Sequence, residues 1–322
     1  MAARVARKPT STWHRFIADR SVSFVQNPVV RRSDHFFLMG SCFAEEIRIV
    51  LNRVLGAAQV GPDMASVIFD PAVSSIDELP ERNHMNTYNA YSVLQEIERI
   101  LGLWTPAPDD YWHVDGKLQC PYRRLVFADT PEIFADITAK LDTAFRAGFA
   151  AADHFVFTFG MTEVFVNRAS GRAANQKPGY FKAGGAEETT YRSTTFADNH
   201  STITRIVDLI TAQKPEAKIF VTVSPVPLAR TFSGDDIVVA NTRSKATLRA
   251  VLAEVAETRP NVIYFPSYEA VLASGDGAWM PDGRHIRRAV VENITRAFVA
   301  SAFYPDESAE AVPAEGTREG LA

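Results

Sequence analysis

Apolar positions fall into two alternating kinds of run along this 322-residue chain. Short continuous stretches at 35–39, 154–159, 218–223 and 261–265 are rich in β-branched or aromatic residues and stop at Gly40, Gly160, Ser224-Pro225 and Pro266. Runs of that length and composition, bounded by breakers, predict strands buried on both faces. Between them the apolar spacing changes to a helical period. It does so over 45–55, over 201–212 (Ile203, Ile206, Val207, Ile210), over 242–257 (Leu248, Val251, Leu252, Val255) and over 287–303. A shorter strand near Gln59-Val60 brings the number to about five. Strands alternating with helices predict an α/β fold, a three-layer α/β/α sandwich around a mostly parallel sheet.

Residues of about 63–148 interrupt that alternation. They contain helix patterns at 90–101 and 131–148 and an aromatic hairpin pattern at 111–117, with Asp115-Gly116 as its turn. The segment reads as a mainly helical insertion over the sheet's active edge, within one domain spanning 34–304. Residues 172–195, with Gly179, Gly184 and Gly185, read as a long loop. Residues 1–33 are basic and predict a solvated arm, and 305–322, rich in Glu, Ala, Pro and Gly, predict a disordered tail.

A net charge of −4 argues against a general nucleic-acid binder. No stretch approaches the roughly 18 apolar residues of a membrane span, and the basic start lacks the apolar core of a signal peptide. The expectation is a cytoplasmic protein with a small-molecule or glycan ester as its partner. Two cysteines, Cys42 and Cys120, make neither a disulfide framework nor a zinc site by themselves. His84, His113, His154 and His200 lack metal-ligand spacing, and no phosphate-binding or dinucleotide glycine motif is present, so neither a metal nor a cofactor is expected.

The candidate chemistry lies at two places far apart. Gly40-Ser41 follows an apolar strand and precedes a helix, which puts a hydroxyl at the carboxyl edge of the sheet, where open α/β folds bind ligands. A serine there needs a base to attack anything. Among seven histidines His285 is the best base, because Asp282 three residues earlier can fix its tautomer and stabilise the imidazolium. Capping roles compete: Gly-Ser before a helix, and Asp282 before Arg284 and His285, are also common N-cap arrangements. Cys42 reads as a nucleophile or, more simply, as a small buried apolar group. Ser244-Lys245 are adjacent on a helix and do not share a face. Trp104, Tyr111, Trp112 and Tyr122 stack on a ring or, more simply, pack a core or cap.

Gly40-Ser41-Cys42-Phe43-Ala44 resembles the signature of the GSCFA family. The likeness runs on through Tyr88-Asn89, Phe159 to Val164, Thr222 to Leu228, Ala240 to Lys245, Tyr264 to Glu269 and Asp282 to His285. That family is similar to the SGNH (GDSL-like) hydrolases, whose flavodoxin-like α/β/α fold carries a serine after the first strand and an Asp-x-x-His near the end of the chain. The resemblance implies Ser41 as nucleophile, His285 as general base and acid, and Asp282 as orienting carboxylate. It further implies oxyanion donors at Ser41, at Cys42 and at Gly160, plus an asparagine in a Gly-x-Asn-Asp motif. This chain has Gly160-Met161-Thr162-Glu163 instead, which leaves Thr162 or an amide of Asn86 or Asn89 as the replacement, with Asn89 preferred. Glu163 reads as a structural partner for an arginine or a backbone N–H. The implied reaction is ester hydrolysis through an acyl-enzyme. The alternatives are acyl transfer to a sugar hydroxyl and a binding module without catalysis.

Overall fold

The computed structural model describes residues 11–19, 21–24, 27–56, 59–62, 86–114, 116–124, 126–175 and 187–305. Five strands form the central sheet, all parallel: β1 (Phe36–Gly40), β2 (Val60–Gly61), β6 (His154–Phe159), β10 (Ile219–Val223) and β11 (Val262–Tyr264), in the order β11-β10-β6-β1-β2. Every residue of β1, β6 and β10 is buried, which is why these strands read as unbroken apolar runs. Period-2 alternation divides their side chains between two cores. Phe37, Met39, Phe155, Phe157, Phe159, Val221 and Val223 face one way, and Phe36, Leu38, Val156 and Phe220 the other.

Helices cover both faces, so the three-layer α/β/α prediction holds. Packed on the first core are α3 (Ala90–Ile100), α4 (Pro131–Ala151), α5 (Phe196–Gln213) and α6 (Ile237–Thr258). The second core takes α2 (Cys42–Leu55), α7 (Ser267–Ala273) and α8 (Arg288–Ala302). Before them a short α1 (Trp13–Asp19) has no buried residue. In core-strand numbering the order is 2-1-3-4-5. The chain therefore reverses direction across the sheet between β1 and β6, and a crevice opens outside the carboxyl ends of those two strands.

Three features differ from the sequence reading. The insertion is not simply helical: β3 (Trp112–Val114), β4 (Lys117–Gln119) and β5 (Phe127–Ala128) form an antiparallel sheet beside α3 and α4. The stretch read as a long loop contains β8 (Ala173–Ala174) and β9 (Thr189–Ser193), which flank β7 (Glu163–Asn167) in a second antiparallel sheet. Four of the five residues of β9 are exposed, so no apolar alternation marks it, and only pairing with β7 defines it as a strand. Finally, the end of the basic arm is packed, not solvated. Val29 N–H donates to Ala302 C=O, Tyr304 N–H donates to Val30 C=O, and Val30 is fully buried.

The aromatic residues of the insertion pack as expected. Trp112 and Tyr122 are buried, and Trp104 meets Tyr122 edge-on at 4.9 Å. The tail from 306, residues 1–10, His84, the hairpin turn at Asp115 and the three loop glycines (Gly179, Gly184, Gly185) lie outside the described residues.

Candidate active site

At the β1–β6 crevice lies a cavity of about 280 Å³ whose lining includes Ser41, Cys42, Gly160, Ser224, Arg284 and His285. Gly40 makes the corner possible. Its φ of 151° suits glycine, and a Cβ there would sit 2.4 Å from Thr158 Oγ1 and 2.5 Å from Thr158 O. That close approach lets Ser41 N–H donate to Thr158 Oγ1 at 3.0 Å, pinning the end of β1 to β6. The chain then turns into α2, with Ser41 as its N-cap accepting the Phe43 N–H at 3.3 Å. Ser41 is only 4% exposed. Its hydroxyl donates to Ser224 Oγ at 2.8 Å and lies 3.2 Å from Thr158 Oγ1. Both the capping role and the position at the strand's carboxyl end are therefore real.

Asp282 and His285 come together as their spacing predicts. Gly283, at φ 68°, turns the backbone so that the Arg284 and His285 N–H groups donate to Asp282 Oδ1 at 2.9 and 3.0 Å. Asp282 Oδ2 meets His285 Nδ1 at 2.5 Å. The Arg284 N–H, the His285 ring and the His285 N–H hold the Asp282 carboxyl well below the usual carboxylate range. This pair sits at the cavity mouth, with the ring 52% and the carboxylate 47% exposed, so substrate can reach it from solvent.

The ring's other neighbour is Cys42. Its side chain, followed by that of Asp282, pushes the His285 ring up to about 9, which favours the imidazolium at neutral pH. Cys42 is half-buried and lines the cavity, in contrast to the buried apolar role the sequence suggested. It is the first residue of α2, where orphan N–H groups favour negative charge. Its own N–H has no partner among the described residues, the next two being taken by Ser41 Oγ and Ser41 O.

The other expected oxyanion donors are placed differently. The Gly160 and Met161 N–H groups both donate to Tyr88 O, at 3.2 and 3.1 Å. Thr162 is 1% exposed, and its N–H and hydroxyl are spent on Ser244 Oγ. Asn89 caps α3 by accepting the Ser92 N–H at 2.9 Å, and neither it nor Asn86 lines the cavity. Only the Asn89 bond is local; Gly160, Met161 and Thr162 are claimed by Tyr88 and Ser244, which come from distant segments of the chain. The amide that does line the cavity is Asn175. It donates to Asn86 O at 2.6 Å and accepts from Tyr88 N–H at 3.3 Å. No local pattern distinguishes Asn175, since it follows β8 and reaches the cavity only through that strand's pairing.

Two further residues order the walls. Lys245, 1% exposed, donates from Nζ to Gly160 O at 2.7 Å and to Val226 O at 2.8 Å, tying together the loops after β6 and β10. Ser244 turns to Thr162, so the two adjacent residues serve different partners. Glu163 accepts from Thr231 Oγ1 and from the Phe232 N–H, the structural backbone role anticipated for it. Among the described residues no group of histidine, cysteine and acidic side chains could hold a metal ion, and no helix is long and apolar enough to cross a membrane.

Comparison with known proteins agrees with the motifs. No curated protein matches the chain. The GSCFA family profile matches residues 35–298, a span that begins just before β1, takes in Asp282 and His285 and ends within α8. The chain belongs to the GSCFA family.

Proposed function

We propose that the protein is a serine hydrolase of the SGNH type, cleaving an ester such as an O-acyl group on a carbohydrate. Ser41 is the nucleophile, His285 the base and acid, and Asp282 the orienting carboxylate. One observation carries the reading: the cavity at the sheet's switch point is lined by a strand-end serine and by a histidine whose Nδ1 is already held by a carboxylate. GSCFA membership, which suggests a hydrolase-like fold, points the same way. With Nδ1 on Asp282, Nε2 is the nitrogen available to the nucleophile, and it acts as base in the neutral form of the ring. In the reaction Ser41 Oγ leaves its bond to Ser224, loses its proton to Nε2 and bonds to the acyl carbon. The carbonyl electrons move onto oxygen, where the Cys42 N–H is the donor at hand. Collapse breaks the C–O bond, the leaving alkoxide takes the proton from His285, and water or a sugar hydroxyl repeats the sequence on the acyl-enzyme.

A second reading follows from the position of Cys42. It lines the same cavity as His285 and is the largest cause raising that ring's pKa, while none of Ser41's hydrogen bonds goes to His285 among the described residues. On that reading Cys42 is the nucleophile and carries the acyl group as a thioester, with Ser41 serving as the helix cap. Peptide mass analysis after a neutral fluorophosphonate and, separately, iodoacetamide tests both. A fluorophosphonate adduct on Ser41, lost in Ser41→Ala, supports the serine reading. Rapid alkylation of Cys42 that needs His285, with no adduct on Ser41, supports the cysteine. Modification of neither in folded protein removes both.

A further inference from the structure

The cavity wall contains three arginines, Arg124, Arg230 and Arg284, and no aspartate or glutamate among the described residues. His285 adds a fourth basic group at the same mouth. The nearest carboxylate in sequence, Asp282, is already occupied by the His285 ring and two backbone N–H groups. Glu163, behind the wall, is held by Thr231 and Phe232. A cavity lined by one sign of charge focuses the field within it and draws in ligands of the opposite sign.

Arg284 shows how this charge is presented. It precedes His285, and its backbone N–H helps to fix Asp282. Its side chain is half-buried, yet it makes no ion pair among the described residues. A single 3.3 Å hydrogen bond from Nη2 to Pro227 O holds it, and its buried Nε has no partner among the described residues. A buried guanidinium donor left unmatched costs free energy that an acceptor on a ligand recovers. Arg124, 9% exposed, stands in the wall and donates from Nη1 to Tyr88 Oη at 3.0 Å. Arg230 is exposed at the rim. Guanidinium forks match carboxylate and phosphate oxygens in geometry as well as charge.

We propose that Arg284 and Arg124, with Arg230 at the rim, form an anion subsite, and that the ester acted on carries a carboxylate or phosphate group close to its reacting acyl carbon. Calling the ligand an ester rests on the function proposed above, whereas the subsite does not. The cavity volume of about 280 Å³ suits a short acyl group together with the first anionic portion of a sugar, not a whole oligosaccharide.

Isothermal calorimetry at constant ionic strength, with glucose, glucuronate and glucose 6-phosphate as probes, tests the subsite. The expected result is binding of one or both anions at least about tenfold tighter than glucose, and the stronger of the two tells carboxylate from phosphate. Arg284→Gln should reduce that preference by about tenfold, and Arg284→Lys should retain most of it. Arg284 lies on a surface turn, and a melting curve checks that both variants fold. Equal binding of glucose and the anions, or a preference unchanged in both Arg284→Gln and Arg124→Gln, overturns the proposal. Labelling by the neutral fluorophosphonate keeps the two claims apart. Anion binding without any labelling leaves the subsite and removes the serine hydrolase, and labelling without anion binding does the reverse.

Discussion

Cys42→Ala has opposite expected effects under the two nucleophile assignments, and the size of the effect follows from the His285 environment. The Cys42 side chain is the largest cause pushing that ring up to about 9, and Asp282 is the next. If Ser41 attacks, the ring must first be neutral, and with a pKa of about 9 roughly 1% of it is neutral at pH 7. Removing the thiol lowers the ring's pKa, though Asp282 remains to hold it above its ordinary value. Each unit of fall multiplies the neutral fraction at pH 7 by about ten until the pKa nears 7. Cys42→Ala should therefore raise kcat/KM at neutral pH about tenfold and shift the rising limb of the pH–rate profile downward. If Cys42 attacks, the same variant is inactive. Wild-type activity then needs the imidazolium and falls as pH rises through about 9. The assay is kcat/KM for a neutral aryl ester across this pH range in both proteins, with the His285 ring followed by NMR. A His285 titration unchanged in Cys42→Ala would refute the argument under either assignment, because the thiol would not be what holds the proton.

Other perturbations follow from the same geometry. Ser41→Ala removes the cap of α2 and the bond to Ser224, so it should cost roughly 0.5–2 kcal/mol in denaturant unfolding beside any loss of turnover. Unchanged stability would mean that the cap is not formed. Asn89→Ala should lose about 1 kcal/mol of stability through its cap on α3 while leaving kcat near wild type. A fall in kcat of a hundredfold would restore Asn89 as an oxyanion donor. Gly40→Ala places a Cβ against Thr158 in an unfavourable φ region and should destabilise by roughly 2–5 kcal/mol, read as lost soluble yield or a lower Tm. Lys245→Met leaves the Gly160 and Val226 carbonyls without their buried donor. A loss of about 1–3 kcal/mol for each orphaned acceptor is expected in unfolding experiments, together with slower probe labelling as the cavity walls loosen. Stability equal to wild type would show that these carbonyls find other donors.

Amino-acid order alone determined the layers of this protein, because a continuous apolar strand is stable only when helices cover both its faces, and a 3.6-residue apolar period commits a segment to one such layer. It also determined the two halves of the site that depend on local geometry. Gly40-Ser41 ends a strand and starts a helix, and Asp282 reaches His285 across a three-residue turn. The strand β9 escaped this reading, since its exposed residues carry no period and its partner lies more than twenty residues away. The tertiary structure decided which groups share the cavity. Ser41 meets Ser224 across 183 residues, Cys42 shares the cavity with His285, and Asn175 rather than Asn89 is the amide in its lining. Three arginines from separate segments converge there as well. Periodicity fixes which face of an element is buried, but the polar groups that meet at a sheet's edge are chosen by strand order and side-chain rotamer. Those come into being only when distant segments pack.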